Sequence, residues 1–385
     1  LEVTSNRPKA SAKIKTLLLV TNRLPVSPTD PASPFVLDFI RSLHHVGITV
    51  SVFTPHIGEV GTALDFPIHR FDWGETEQTP SELPLLKPAS WKKIKKYFTE
   101  GKRALIEHLQ THHYDHILAL WALPSGWLAQ QGSEASGVPY SIWSLGSDIN
   151  VWAKRPLAGG MIRRALRGAA ALFADGDELA EKVTSISGRE CHFLPSFRQF
   201  DFKLLPTPRE KFFLYLGRIE KSKGVFDLVR AFARVKRDIW DYRLLIIGDG
   251  SQFEALEKSI ITLRLRGKVH MLGRVSTEEV VNCLQRAKAI VIPTHSDSIP
   301  LVFGEALQTA TPMVVTNVGD LGTLVRDNKL GFTVQKKRVG ALADAMVKMI
   351  ISDIDITPHA RNLLERLSPE RAVETFLEVV SGERR

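Results

Sequence analysis

Short apolar runs, each followed by a stretch of helical spacing, leave this chain few possible folds. IKTLLLVTN (14–22), HILALW (116–121), YSIWSLG (140–146) and ALFADG (171–176) are apolar runs more nearly continuous than alternating, and ITVSVFTP (48–55) reads as a further strand among them. Between IKTLLLVTN and ITVSVFTP, FVLDFIRSLHHVG (35–47) carries apolar residues at the period of an amphipathic helix. Strands apolar on both faces and joined by helices predict a parallel sheet covered on both sides. The pattern stops at FLPSFRQFDFKLLPTPRE (193–210), where Pro195, Pro206 and Pro208 break any period. It resumes with FFLYLGR (212–218), YRLLIIGDG (242–250), VHMLG (269–273), AIVIPT (289–294) and MVVTN (313–317).

The expected architecture is α/β, with two doubly wound Rossmann-like domains facing each other across a cleft. A chain of 385 residues is too long for one ordinary core and long enough for two of roughly 150–200 residues. The predicted boundaries are an N-terminal domain over 1–197, a linker over 198–210 and a second domain over 211–367. Residues 368–385 form a closing helix begun by Ser368 and Pro369, packing back toward the N-terminal domain. No solenoid repeat is visible.

Composition narrows the classes further. With 44% hydrophobic and 24% charged residues, the chain reads as globular rather than disordered. No apolar run approaches the roughly 20 residues that span a bilayer. The opening LEVTSNRPKASAK has no signal-peptide core, although a chain beginning on Leu can have lost an upstream segment. Cys191 and Cys283 give neither a disulfide framework nor a metal-ligand spacing; they read as buried thiols of a cytoplasmic protein. A net charge of +9 favours anionic partners: phosphorylated metabolites, nucleic acid or an acidic membrane.

Parallel sheets bind ligands at the carboxyl ends of their strands. Three segments of the second domain fall there. In LGRIEKSKG (216–224), Gly217 and Arg218 end a strand and Lys223 with Gly224 opens a helix, so both bases could clamp a diphosphate. Two solvated loop bases are the ordinary alternative. IIGDGSQFEAL (246–256) allows a tight turn but lacks the dinucleotide fingerprint. In SDSIPLVFGEALQTATP (296–312), Pro300 suits the first helical position, which leaves the amides of Leu301, Val302 and Phe303 as anion donors. Glu305 lies one turn in and Asp297 in the loop ahead, and either carboxylate could accept hydroxyls of a sugar ring. Capping by Ser296 or Ser298, with an incidental Glu, is the plainer reading. Together the segments describe a nucleotide-sugar site.

GRIEKSKG, IGDG and PTHSDSIPLVFGEALQTATPMVVTNVG, in that order, resemble the carboxyl-terminal domain of glycosyltransferase family 4, retaining enzymes of the GT-B fold. WALPSGWLA (121–129) and LGSDI (145–149) resemble amino-terminal segments of bacterial members. The resemblance implies a retaining transferase that moves a hexose-type sugar from a nucleoside diphosphate to a glycan or lipid-linked hydroxyl. Arg218, Lys223 and Asp297 would serve catalysis. Glu305 would bind the donor ribose, and Gly217, Leu301, Val302 and Ser298 would complete the donor site. The base would lie on the segment around Met271, Leu272 and Gly273. No cofactor or metal is implied, because the nucleotide sugar is a substrate and fixed positive charge serves the leaving group.

The chain departs from the family pattern at several positions. Asp297 replaces the usual Glu, and Ala310 stands where glycine is common, read as a packing variation. Ser33-Pro34 replaces a glycine pair, and proline has no amide to donate. Leu145 occupies a position that is often His. On the acceptor side, Asp148, Ser33 and Trp121 are candidates to line the cleft, with Trp121 equally readable as core. Lys92, Lys93, Lys95 and Lys96 beside Trp91, Tyr97 and Phe98 suit the face of an anionic membrane or, more plainly, a solvated helix. The expected location is the cytoplasm, with association at the cytoplasmic membrane face. Other readings are a nucleotide-sugar epimerase, a sugar phosphorylase or a catalytically weakened GT-B partner protein; no motif points to nucleic acid.

Overall fold

The computed structural model describes residues 14–382, apart from 26–32, 59–63, 76–78, 81–82, 84–87, 201, 203–206 and 236–239. Part of the predicted linker, including Pro206, lies outside the described residues, as does the polar stretch 1–13. The chain divides into two compact units. The first holds the residues up to Ala174, then Ala180–Leu194 and the segment from Glu370 onward; the second holds Asp175–Leu179 and Pro195–Pro369.

The first unit is built on a seven-stranded sheet. Its strands are β1 (Thr16–Val20), β2 (Thr49–Pro55), β3 (Ile68–Phe71), β4 (His116–Leu120), β5 (Tyr140–Ser144), β6 (Leu172–Ala174) and β7 (His192–Phe193). Every pairing is parallel and the order is β3-β2-β1-β4-β5-β6-β7. The central strands are buried on both faces, the physical basis of their continuous apolar runs. The short edge strands β3 and β7 escaped the sequence reading because IHRF and HF are too short and too polar to make such a run. The last helix, Pro369–Ser381, sends Phe376 into this unit, with its ring centroid 6.0 Å from Phe39 and 5.6 Å from Phe173.

The second unit carries a six-stranded parallel sheet of β8 (Glu210–Leu216), β9 (Arg243–Ile247), β10 (Val269–Gly273), β11 (Ala287–Ile292), β12 (Met313–Thr316) and β13 (Gly331–Val334). The order is β10-β9-β8-β11-β12-β13. The helix Val225–Val235 lays Val225, Leu228, Val229 and Phe232 on the sheet at i, i+3, i+4 and i+7, all fully buried. β13 was not anticipated, since GFTV is only half-buried. Cys283 is buried, but Cys191 is only partly so, which corrects the reading of two buried thiols.

In both sheets the strand order reverses at one point, between β1 and β4 and between β8 and β11. Loops leaving the carboxyl ends of such neighbours diverge to opposite faces and open a crevice. In the second unit those are the loops that begin at Gly217 and at Pro293.

Candidate active site

At the switch point of the second unit, two loops are tied together. The chain leaves β8 through Gly217 and Arg218, makes a 3₁₀ turn over Lys221–Lys223 and enters the helix through Gly224. Gly224 has φ +70°, and a Cβ there would stand 1.8 Å from the carbonyl oxygen of Pro293. Only glycine permits that approach. From the other loop, the amide of His295 donates to the Ser222 carbonyl at 2.8 Å, and the His295 ring meets Asp227 Oδ2 at 2.7 Å. Gly224→Ala is expected to destabilise the protein by roughly 2–4 kcal/mol, from the left-handed backbone and the clash combined. A denaturant midpoint equal to that of the unsubstituted protein would refute this.

The junction brings Lys223 and Asp297 into contact. Lys223 Nζ lies 2.6 Å from Asp297 Oδ1, and Thr294 Oγ1 donates to Oδ2 at 2.5 Å. Asp297 is thus a held carboxylate rather than a free loop acid, with its reach set by a lysine and a threonine. Lys223 in turn does not stand as an independent anion clamp beside Arg218. Arg218 is exposed, and its carbonyl accepts a 2.7 Å bond from Tyr215 Oη. That phenol is buried, and burial, reinforced by the nearby Asp297 charge, pushes its pKa up, so it stays a donor. Gly217 is packed against the next loop: a Cβ on Gly248 would lie 1.9 Å from its carbonyl oxygen.

The helix Leu301–Gln308 begins beside Asp297. Pro300 is extended (φ −69°, ψ 143°), so it caps the helix rather than occupying its first turn as expected. No side chain caps this end, which removes the Ser296 or Ser298 capping alternative. Phe303 N–H turns back to the Pro300 carbonyl at 2.9 Å, so it is not an anion donor. Leu301 and Val302 keep that capacity, with the positive end of the helix dipole behind them. Ser298 Oγ is buried without a partner among the described residues.

Glu305 is 5% exposed, and its Oε1 meets Arg198 Nη1 at 3.2 Å. Burial pushes its carboxyl pKa up, and the Arg198 guanidinium only partly offsets this. Arg198 also donates to Thr277 Oγ1 at 2.8 Å, and Gln308 bonds the backbone on both sides, from its Nε2 to the Arg198 carbonyl and from Phe200 N–H to its Oε1, each at 2.8 Å. The arginine was missed because it sits in an aperiodic, proline-rich stretch, where no spacing marks a buried position. Arg198 engages Oε1 alone, which leaves Oε2 able to accept hydroxyls.

Leu272 is 41% exposed at a register shift in the β9–β10 pairing, where the ladder skips from Met271 to Gly273. The bulge turns an apolar side chain outward next to main-chain groups, a surface on which a flat base can lie. Ala310 has φ 50°, a left-handed backbone that favours glycine, which corrects the reading of this position as a packing variation.

In the first unit, Asp148 must be reassigned. It is fully buried, and its Oδ2 accepts the Ala122 amide at 2.7 Å. Burial raises its pKa against that bond. It braces the loop after β4 instead of lining a surface. Trp121, half-buried at the end of β4 and therefore at the first sheet's switch point, holds φ 66° and ψ 135°. Such strain in a non-glycine residue costs about 1–3 kcal/mol and concentrates at functional loops. Ser33 is also left-handed (φ 55°), and its carbonyl takes the Val36 amide at 3.1 Å. With Leu37 bonded to Pro34, the start of that helix offers little to a phosphate.

Comparison with known proteins agrees with this geometry. Residues 196–369 match the family model of glycosyl transferases group 1. The putative teichuronic acid biosynthesis glycosyltransferase TuaC of Bacillus subtilis (strain 168) is 29% identical over 248 residues, 61% of this chain and 61% of that protein. The chain therefore spans about three fifths of that relative. Sucrose-phosphate synthase from Thermosynechococcus elongatus superposes with a TM-score of 0.79 at 18% identity, covering 96% of this chain and 98% of that one. Anabaena HepE in complex with UDP gives 0.71 at 14%, covering 95% and 100%. The fold is GT-B. The match over residues 196–369 supports a glycosyltransferase of that fold.

Proposed function

We propose that this chain is a retaining, metal-independent glycosyltransferase of family 4 type. It would move a hexose-type sugar from a nucleoside diphosphate to a hydroxyl of a glycan or lipid-linked acceptor. The observation that carries this reading is the held Lys223–Asp297 pair, set at the switch point beside an uncapped helix start. In this reading the donor diphosphate lies against Arg218, Lys223 and the amides of Leu301 and Val302. Its ribose hydroxyls donate to Glu305, its base rests on Leu272, and Asp297 faces the sugar.

The chemistry asks the protein mainly for electrostatics. The bond from the sugar's anomeric carbon to the diphosphate oxygen breaks, and the acceptor oxygen attacks from the same face. The acceptor proton passes to the departing oxygen, so no side-chain nucleophile is needed. Fixed cations and helix amides stabilise the charge that develops on the diphosphate, where preorganised donors act most strongly. The UDP held by HepE, a protein of the same fold, is consistent with a nucleotide donor.

A thermal-shift panel of UDP-, GDP-, ADP- and TDP-sugars is expected to show one base class raising the melting temperature. No shift with any of the four would overturn the donor assignment.

On the acceptor side, the helix Pro88–Thr111 exposes Lys92, Lys93, Lys95 and Lys96 with Trp91, which is 54% exposed. Tyr97 is fully buried and Phe98 packs edge-on against Trp127 at 5.1 Å, so those two aromatics face the core and not a membrane. Lys93 pairs with Glu75, so Lys92, Lys95 and Lys96 beside Trp91 are what supports peripheral contact with an anionic, cytoplasmic-face membrane and a lipid-linked acceptor. Among the described residues, no helix is long and apolar enough to cross a membrane.

A further inference from the structure

Far along the chain from the donor loops, three histidines converge at the edge of the first sheet. His108 lies near the end of the helix Pro88–Thr111, and His112 follows one turn later, its amide donating to the His108 carbonyl at 3.0 Å. Residues four apart share a helix face, the spacing by which two histidines commonly hold one metal. His69, from the edge strand β3, meets them at a tilt, with ring centroids 4.0 Å from His108 and 5.2 Å from His112. One ring nitrogen from each of the three lies within 4.8 Å of the other two.

The outer contacts orient these rings. His112 Nδ1 faces the Thr111 hydroxyl at 2.9 Å and the His108 carbonyl at 3.2 Å; with the Thr111 proton directed to that carbonyl at 3.1 Å, both contacts suit a proton on Nδ1 and a lone pair on Nε2. His108 Nε2 meets Tyr114 Oη at 2.9 Å, which leaves Nδ1 for a ligand. Backbone and side-chain partners of this kind are what set ligand histidines.

We infer that His69, His108 and His112 form a binding site for one late first-row divalent ion, Zn²⁺ or a neighbour that prefers imidazole, which ties strand β3 to the end of the helix Pro88–Thr111. Tetrahedral ligands at about 2.0–2.1 Å stand roughly 3.4 Å apart, so binding requires His108 and His112, stacked at 4.2 Å, to rotate their ring planes toward the ion. His112 is exposed, which leaves the remaining position to water. The site is separate from the proposed donor site and holds whether or not that reading does. Cysteine spacing gives no sign of this site, because its third ligand, His69, arrives on the short polar edge strand β3.

The test uses the full chain without a histidine tag. Zn²⁺ at about a hundred times its dissociation constant is expected to raise the melting temperature by roughly 5 °C or more, and Mg²⁺ to leave it unchanged. Equilibrium dialysis should find one tight equivalent, and Co²⁺ should give the visible d–d bands of a four-coordinate nitrogen site. His112→Ala, on an exposed position, and His69→Ala should each abolish the tight equivalent and the bands. Retention of the equivalent in both variants would place the metal elsewhere and overturn the proposal. Failure of the unsubstituted protein to bind Zn²⁺ would do the same.

Discussion

Lys223→Ala is expected to lower kcat for sugar transfer by about 10²–10³-fold, the usual loss when one preorganised donor to developing charge is removed. The effect should concentrate in kcat, because the charge on the departing diphosphate is greatest at the transition state. Stability should also fall, by about 1–3 kcal/mol, since the two side chains are only 22% and 18% exposed and Asp297 would keep the Thr294 hydroxyl but lose its counter-charge. Lys223→Arg should recover part of the rate, keeping the charge but not the compact ammonium. An alanine variant with wild-type kcat would remove Lys223 from the leaving-group site, whatever the outcome for the donor panel.

The second large effect concerns Glu305. Glu305→Ala removes a buried carboxylate that can take two hydroxyl bonds, each worth about 1.5–3 kcal/mol to a charged acceptor. Donor affinity measured by calorimetry should fall by roughly a hundredfold or more. The same change leaves the buried Arg198 without its counter-charge, with only the Thr277 hydroxyl to accept from it, so stability should drop by about 3–5 kcal/mol. The double variant with Arg198→Ala should regain much of that stability but none of the affinity. Undiminished donor binding by folded Glu305→Ala would end the ribose assignment. A pH signature follows as well. Burial raises the folded carboxyl above its ordinary 4.5, so the folded chain binds a proton that the unfolded chain has released. Stability from this group is therefore lost as pH rises through that window, and Glu305→Ala should flatten the loss.

Much of this architecture was legible because burial on both faces writes itself as continuous apolar runs. β1, β4 and β5 and their second-unit counterparts needed no contacts to be found, and the proline-studded stretch after Leu194 marked where one series ended. The order and spacing from Arg218 to Gly319 were enough to point to the two loops that meet at the second sheet's switch point. What stayed hidden shares one cause: each feature depends on a partner distant in sequence. Arg198 meets Glu305 across 107 positions, and Lys223 meets Asp297 across 74. Asp148 looked like a surface acid because nothing local shows that the Ala122 amide turns onto it. Tyr97 and Phe98 looked available to a membrane until the helix rotation placed them inward.

The sequence by itself determined the class of fold, two parallel sheets of apolar strands with polar loops at their carboxyl ends, because that pattern is local and repeated. Only the tertiary structure decided which charges are spent on each other and which face outward. Pairing energies depend on distance and burial, and neither is a property of a residue's place in the chain.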